Sequence, residues 1–182
     1  IAIIGLNFGR TIANQVINGP GSEFFELSAV CDINREIADA EAHKYGVQAY
    51  YSIDNLLTDE SIPVVGLFTG PAGRAELIDK IIQSGKDVIT TKPFELNIEK
   101  AYSILRKAQR QGRIVHMNSP SPLLSEDLRQ MKAWEEEKGL GRPVACRAEE
   151  WVSYMEKADG SWYGRVCTGH AFKTVYRPSH PG

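Results

Sequence analysis

The run Ile1-Ala2-Ile3-Ile4-Gly5-Leu6-Asn7-Phe8-Gly9-Arg10 opens with β-branched residues and stops at a glycine, and Arg10 to Ile17 then carries apolar residues at helical spacing. Strand, tight turn and helix are expected in that order. The start of such a helix offers unpaired amide hydrogens and the positive end of a dipole, so the turn is suited to an anion.

Moving outward, the same alternation repeats. Phe25 to Cys31 reads as a second strand after the Gly19-Pro20-Gly21 break, and Ile33 to Tyr45 as a helix with Ala38, Ala40 and Ala42 available for close packing. Val47 to Tyr51 and Pro63 to Thr69 read as strands three and four, Arg74 to Gln83 as a helix ended by Gly85, and Asp87 to Thr90 as strand five. Asn97 is the expected N-cap of a helix through Ile98, Ala101, Leu105 and Ala108 that stops at Gly112, before a sixth strand at Ile114 to Met117. Apolar strands separated by helices imply an α/β fold, a doubly wound parallel sheet covered on both faces. Residues 1–118 are assigned to this domain. From Ser119 the character changes: two prolines, a helix from about Ser125 to Lys138 with Leu128, Met131 and Trp134 at core-like spacing, then a strand from Pro143 to Tyr154. Val144, Cys146 and Ala148 alternate there with Arg147 and Glu149, as on an antiparallel sheet with one wet face. Residues 119–182 therefore read as the incomplete start of a second, α+β domain.

With 21 basic and 23 acidic residues the net charge is −2, which gives no electrostatic footprint for nucleic acid or an anionic membrane. Small molecules are the expected partners. No apolar run reaches the length of a transmembrane helix and no signal-peptide pattern stands at the start, so the chain is read as cytoplasmic. Cys31, Cys146 and Cys167 are odd in number and far apart, and with His116, His170 and His180 they form no metal-ligand spacing, so no metal is expected. The chain opens inside an apolar run on Ile1 and stops at Gly182, and it reads as a fragment.

Gly5, Asn7, Phe8 and Gly9 occupy the place of a dinucleotide fingerprint, between the first strand and the first helix. Asn7 and Arg10 stand where that pattern has glycine. Asn7 tolerates a left-handed backbone, but its side chain would crowd a phosphate. Gly5 and Gly9 also suit an ordinary strand-to-helix turn. Asp32, at the end of the second strand, is placed to accept both ribose hydroxyl hydrogens of an adenosine and to repel a 2′-phosphate, which favours NAD. Arg35 could pair with that phosphate and admit NADP, and Asp32 could instead cap the following helix. Lys92 follows the fifth strand at the ligand-binding edge of such sheets. Beside a cationic nicotinamide ring it would lose affinity for its proton and could exchange one with a substrate hydroxyl. A solvated surface lysine is the alternative.

The run Gly85-Lys86-Asp87-Val88-Ile89-Thr90-Thr91-Lys92-Pro93-Phe94 resembles the glucose-fructose oxidoreductase, inositol dehydrogenase and rhizopine-catabolism (Gfo/Idh/MocA) family. The likeness runs from Ile1 to about Tyr163. It takes in the Gly5 turn, Asp32, Thr69-Gly70-Pro71, Lys92-Pro93, Asn118 and Gly139-Leu140-Gly141-Arg142-Pro143. It implies a Rossmann domain and NAD(P)-dependent hydride transfer at an alcohol or carbonyl carbon of a sugar, polyol or related small molecule. It also implies catalysis by Lys92 and cofactor contacts from Thr69, Pro71, Arg74, Thr91, Asn118 and Trp162. Thr91 replaces the family's glutamate and Arg74 stands where many members have histidine. Members continue well beyond this length into a sheet carrying the substrate site and commonly a homo-oligomer contact, so a truncated enzyme is expected. A non-catalytic dinucleotide-binding remnant is the alternative, and an interaction protein without cofactor the weaker third reading.

Overall fold

The computed structural model describes residues 1–118, 126–139 and 141. Its strands are β1 (Ala2–Ile4), β2 (Ala29–Cys31), β3 (Gln48–Tyr50), β4 (Val64–Leu67), β5 (Asp87–Thr90) and β6 (Val115–Met117). The helices are α1 (Gly9–Asn18), α2 (Arg35–Tyr45), α3 (Ile53–Leu57), α4 (Arg74–Gln83), α5 (Ile98–Arg110) and α6 (Glu126–Lys138), with a 3-10 turn at Pro20–Glu23. The strands form one parallel sheet in the order β3-β2-β1-β4-β5-β6. This is the Rossmann order, whose winding reverses between β1 and β4.

Alternation along the strands divides the core in two. Ala2 and Ile4 of β1 face the cluster that α4 and α5 cover with Ala75, Ile78, Ile81, Ile104 and Ala108. Ile3 faces the opposite cluster, which α1 and α2 cover with Ala13, Val16, Ala38 and Ala42. Burying one such Ile, Leu or Val side chain contributes about 1.5–3 kcal/mol, against about 0–1 for an exposed ion pair such as Lys80–Asp54. The two apolar layers therefore hold the sheet, and surface charges add little. Ile3 is hemmed in on both sides. A Cβ at Gly9 would lie 2.8 Å from Ile3 Cγ2, and one at Gly66 would lie 2.7 Å from Ile3 Cδ1, so α1 and β4 approach β1 closely only because both positions lack a side chain.

Helix ends follow local chemistry. The Asn34 side chain accepts from the Ile37 amide and starts α2, which closes at Gly46 with φ +69°. Asn97 accepts from the Lys100 amide at 2.9 Å and starts α5 as expected. The capping role weighed for Asp32 thus belongs to Asn34. α4 and β5 fall at the expected residues, while β2, β3 and β4 are shorter than expected and α3 was not anticipated. Ala38 and Ala42 are buried, but Ala40 is exposed. Leu128, Met131 and Trp134 were expected in a core. They are about half exposed, because α6 lies outside both clusters formed by the described residues. The expected strand from Pro143 to Tyr154 and residues Cys146, Trp162, Cys167, His170 and His180 lie outside the described residues.

Candidate functional site

The carboxyl ends of β1, β2, β4, β5 and β6 bring most of the candidate residues to one edge of the sheet. At β1, Gly5 has φ +84°, and a Cβ there would lie 2.9 Å from the Phe68 carbonyl carbon and the Thr69 nitrogen. Only glycine can therefore turn the chain here against the end of β4. No non-glycine residue among those described has positive φ, so the left-handed turn rests on Gly5 and not on Asn7. The Gly9 amide donates to the Gly5 carbonyl at 3.1 Å, whereas the Asn7 and Phe8 amides have no acceptor in the backbone or side chains of the described residues. Asn7 is exposed, and the half-exposed Phe8 ring packs edge-on against Phe68 with ring centres 5.7 Å apart.

Asp32 stands beside this turn. Its Oδ2 accepts from the Leu6 amide at 2.8 Å and its Oδ1 from the Asn34 amide at 2.9 Å. Each carboxylate oxygen keeps a further lone pair for a ligand hydroxyl. Immediately before it, burial first and the Asp32 charge second push the Cys31 thiol up to about 12. Arg35 is exposed and lies over the Tyr51 ring at 4.5 Å, and the Tyr51 hydroxyl donates to Asp39 at 2.7 Å.

The β4 and β5 loops are joined by Arg74, the first residue of α4. Its side chain is 1% exposed. The guanidinium donates to the carbonyls of Thr69, Thr91 and Pro93, the Thr91 bond being 2.6 Å. Burial lowers its pKa to about 10, which leaves it charged at neutral pH, while the nearby Glu95 carboxylate acts in the opposite direction. A cation at the positive end of a helix is disfavoured, and these acceptors offset that cost. Glu95, which sequence reasoning missed, completes the junction. Its Oε2 accepts from the Ala75 amide at 2.8 Å, capping α4 from outside, and its Oε1 accepts from the Leu96 amide at 2.6 Å. A carboxylate shortly after Lys92-Pro93, together with an arginine opening α4, was the available signal for this pairing.

Between these anchors Lys92 is exposed, with no hydrogen bond or ion pair to the described residues, and the Lys92–Pro93 peptide bond is cis. Thr69 and Thr91 are half-buried and Pro71 is buried. The Asn118 amide donates to the Thr90 carbonyl at 2.9 Å, and its side-chain Oδ1 is buried without a hydrogen-bond partner among the described residues. Asp32 and Lys92 sit at ends of strands three places apart, about 14 Å along the edge at ~4.8 Å per strand. His116 is exposed on β6, away from any cluster of metal-ligating groups among the described residues.

An acidic side chain ending β2, a glycine turn ending β1 and an exposed lysine after β5 agree with a match over residues 1–119 to the oxidoreductase family with an NAD-binding Rossmann fold, GFO_IDH_MocA. The chain belongs to this family. It is 30% identical over 129 residues to the dehydrogenase aclE of Aspergillus oryzae, and 26% identical over 115 residues to inositol 2-dehydrogenase of Salmonella typhimurium. These matches take in 69% and 62% of this chain but only 35% and 32% of the relatives, so it spans about a third of their length. The WlbA dehydrogenase of Bordetella pertussis, solved with NADH and UDP-GlcNAcA, superposes with a TM-score of 0.66 at 17% identity. That superposition covers 76% of this chain and 42% of WlbA, a likeness of fold alone.

Proposed function

We propose that this chain carries the cofactor-binding part of an NAD(P)-dependent oxidoreductase that moves a hydride between nicotinamide and an alcohol or carbonyl carbon of a sugar, polyol or related small molecule. The observation that carries this reading is the Asp32–Leu6 bond, which sets a carboxylate against the opened glycine turn at the winding reversal of the sheet. The residues fit a dinucleotide. The Asn7 and Phe8 amides, without an acceptor among the described residues, suit a pyrophosphate, and the remaining lone pairs of Asp32 suit ribose hydroxyls. The buried Oδ1 of Asn118 offers an acceptor on the side of the β4–β6 half. NAD is favoured over NADP because the Asp32 charge opposes a 2′-phosphate, with Arg35 as the group that would admit one.

When bound, nicotinamide supplies or accepts the hydride. The chain's own part is to orient it and to move the proton, and Lys92 Nζ is the group we assign to exchange that proton with the substrate oxygen. Thr69, Pro71, Arg74 and Thr91 frame the same edge. Residues 119–182, including Trp162, are assigned to the start of the substrate domain, through which a homo-oligomer would form.

Titration with NADH, followed by energy transfer from tryptophan, and then NAD with a polyol panel, followed by reduced-cofactor absorbance, tests the assignment. Lys92→Ala is expected to abolish turnover with cofactor affinity nearly unchanged. A chain that binds none of NAD, NADH, NADP and NADPH would overturn the reading. Binding without turnover would select a dinucleotide-binding module, which the Thr91 hydroxyl at the expected glutamate position favours.

A further inference from the structure

We infer that Arg74 and Glu95 are positioning residues that set the nicotinamide-facing half of the site by locking the Lys92 loop to the β4 loop, an inference that rests on the cofactor reading above. Rossmann sheets comprise two mononucleotide-binding halves. In the β1–β3 half, the turn and Asp32 are held by the Gly9–Gly5 and Leu6–Asp32 bonds, neither of which involves Arg74 or Glu95. In the β4–β6 half, Lys92 has no partner that fixes its side chain among the described residues, so its placement depends on the backbone on either side of it. That backbone is held at Thr91 and Pro93, the residues flanking Lys92, and both carbonyls accept from the same guanidinium nitrogen. The second terminal nitrogen of that guanidinium reaches the Thr69 carbonyl at the end of β4. Glu95 fastens the same loop a second time, by accepting from the Ala75 amide. One planar cation thus ties three carbonyls from two loops, a task suited to its fork of donors and unsuited to an apolar replacement.

The site residues of the two halves differ in what holds them, and so the halves can be perturbed separately. Lys86 provides the matched control. It too is a buried cation bonding two backbone carbonyls, of Asp59 at 2.6 Å and Ile62 at 2.8 Å, but it precedes β5 at the opposite end of the sheet.

The experiment measures, on the full chain, the affinity for NADH and for ADP, which carries the adenosine end without nicotinamide. The same variants are followed by the emission spectrum of bound NADH and by melting temperature. For Arg74→Met, loss of hydrogen bonds from a charged donor is expected to weaken NADH about tenfold or more and to shift its emission toward that of free cofactor, with ADP affinity within about twofold. Arg74→Lys should recover part of the NADH affinity, and Lys86→Met should lower the melting temperature without changing the NADH-to-ADP ratio. Should Arg74→Met fail to fold, Glu95→Gln carries the test, with the same direction and a smaller loss. Equal weakening of both ligands, or none, in a wild-type chain that binds both would overturn the positioning role and leave the cofactor reading intact. Wild-type protein that binds neither ligand would overturn both.

Discussion

Asp32→Ala separates two jobs that one carboxylate performs. Beside its expected part in holding a ribose, Asp32 accepts from the Leu6 amide at 2.8 Å and from the Asn34 amide at 2.9 Å. Leu6 is 0% exposed, so its amide has no ready replacement for the lost acceptor, whereas Asn34 is exposed and water can take over there. A hydrogen bond to a charged group contributes about 1.5–3 kcal/mol, and since the Leu6 bond dominates, the expected loss of stability is about 2 kcal/mol. At roughly 4 °C per kcal/mol for a unit of this size, the cofactor-free protein should melt roughly 8 °C lower. NAD affinity should fall more than NADP affinity, because only NAD loses its ribose acceptor without gaining relief from repulsion. Both should fall, because the turn that faces the pyrophosphate is no longer fixed. Asp32→Asn keeps one acceptor and should lie between wild type and alanine in melting temperature. Calorimetric melts of the three proteins without ligand, and titrations with both dinucleotides, decide the matter. An unchanged melt with a loss confined to NAD would refute the claim that this side chain holds the turn.

Gly5→Ala should destabilise the fold by about 3 kcal/mol and abolish NADH binding, since a left-handed backbone and a contact of 2.9 Å with the backbone of β4 add together; denaturant melts and fluorescence titration measure both. Cys31 should stay unmodified by iodoacetamide at pH 8.5 in the folded protein, as located by peptide mapping, and it should remain so in Asp32→Ala because burial is the larger cause of its raised pKa. The thiol's contribution to stability is full below its ordinary value of 9.0 and is lost as pH rises toward about 12, because the unfolded chain ionises first. Stability of wild type measured across that interval should therefore fall more steeply than that of Cys31→Ala.

The order of strands and helices was legible because each element carries its own period and its own stop. Asn97 and the α5 pattern suffice to place that helix, and Asp87 to Thr90 is a short run with β-branched Val88, Ile89 and Thr90 that follows the Gly85 stop, which suits a strand. α3 escaped because Ile53 to Leu57 makes little more than one turn, too few residues for a 3.6 period to register. At the site, Gly5, Asp32 and Lys92 announced themselves by standing at strand ends. The residue types of Arg74 and Glu95 were visible, but their pairing with the Thr69, Thr91 and Pro93 carbonyls and the Ala75 amide was not, since those groups come together only after the sheet has formed and no strand-end position marks them. Trp134 misled for a related reason: helical spacing identifies an apolar stripe but does not supply the surface that covers it.

The squeeze around Ile3 constrains how this domain can change. Room toward Gly9 is closed by Ile3, and room toward Gly66 by Ile3 and by the Phe68 ring, whose Cε2 would lie 2.8 Å from an added Cβ, so a methyl gained at either glycine must be matched by volume given up at residues 3 and 68, and the four positions drift as a coupled set. Combinatorial libraries at positions 3, 9, 66 and 68 should accordingly return survivors whose summed side-chain size stays near that of one isoleucine plus one phenylalanine, whereas the outward positions of α1 accept almost any polar residue.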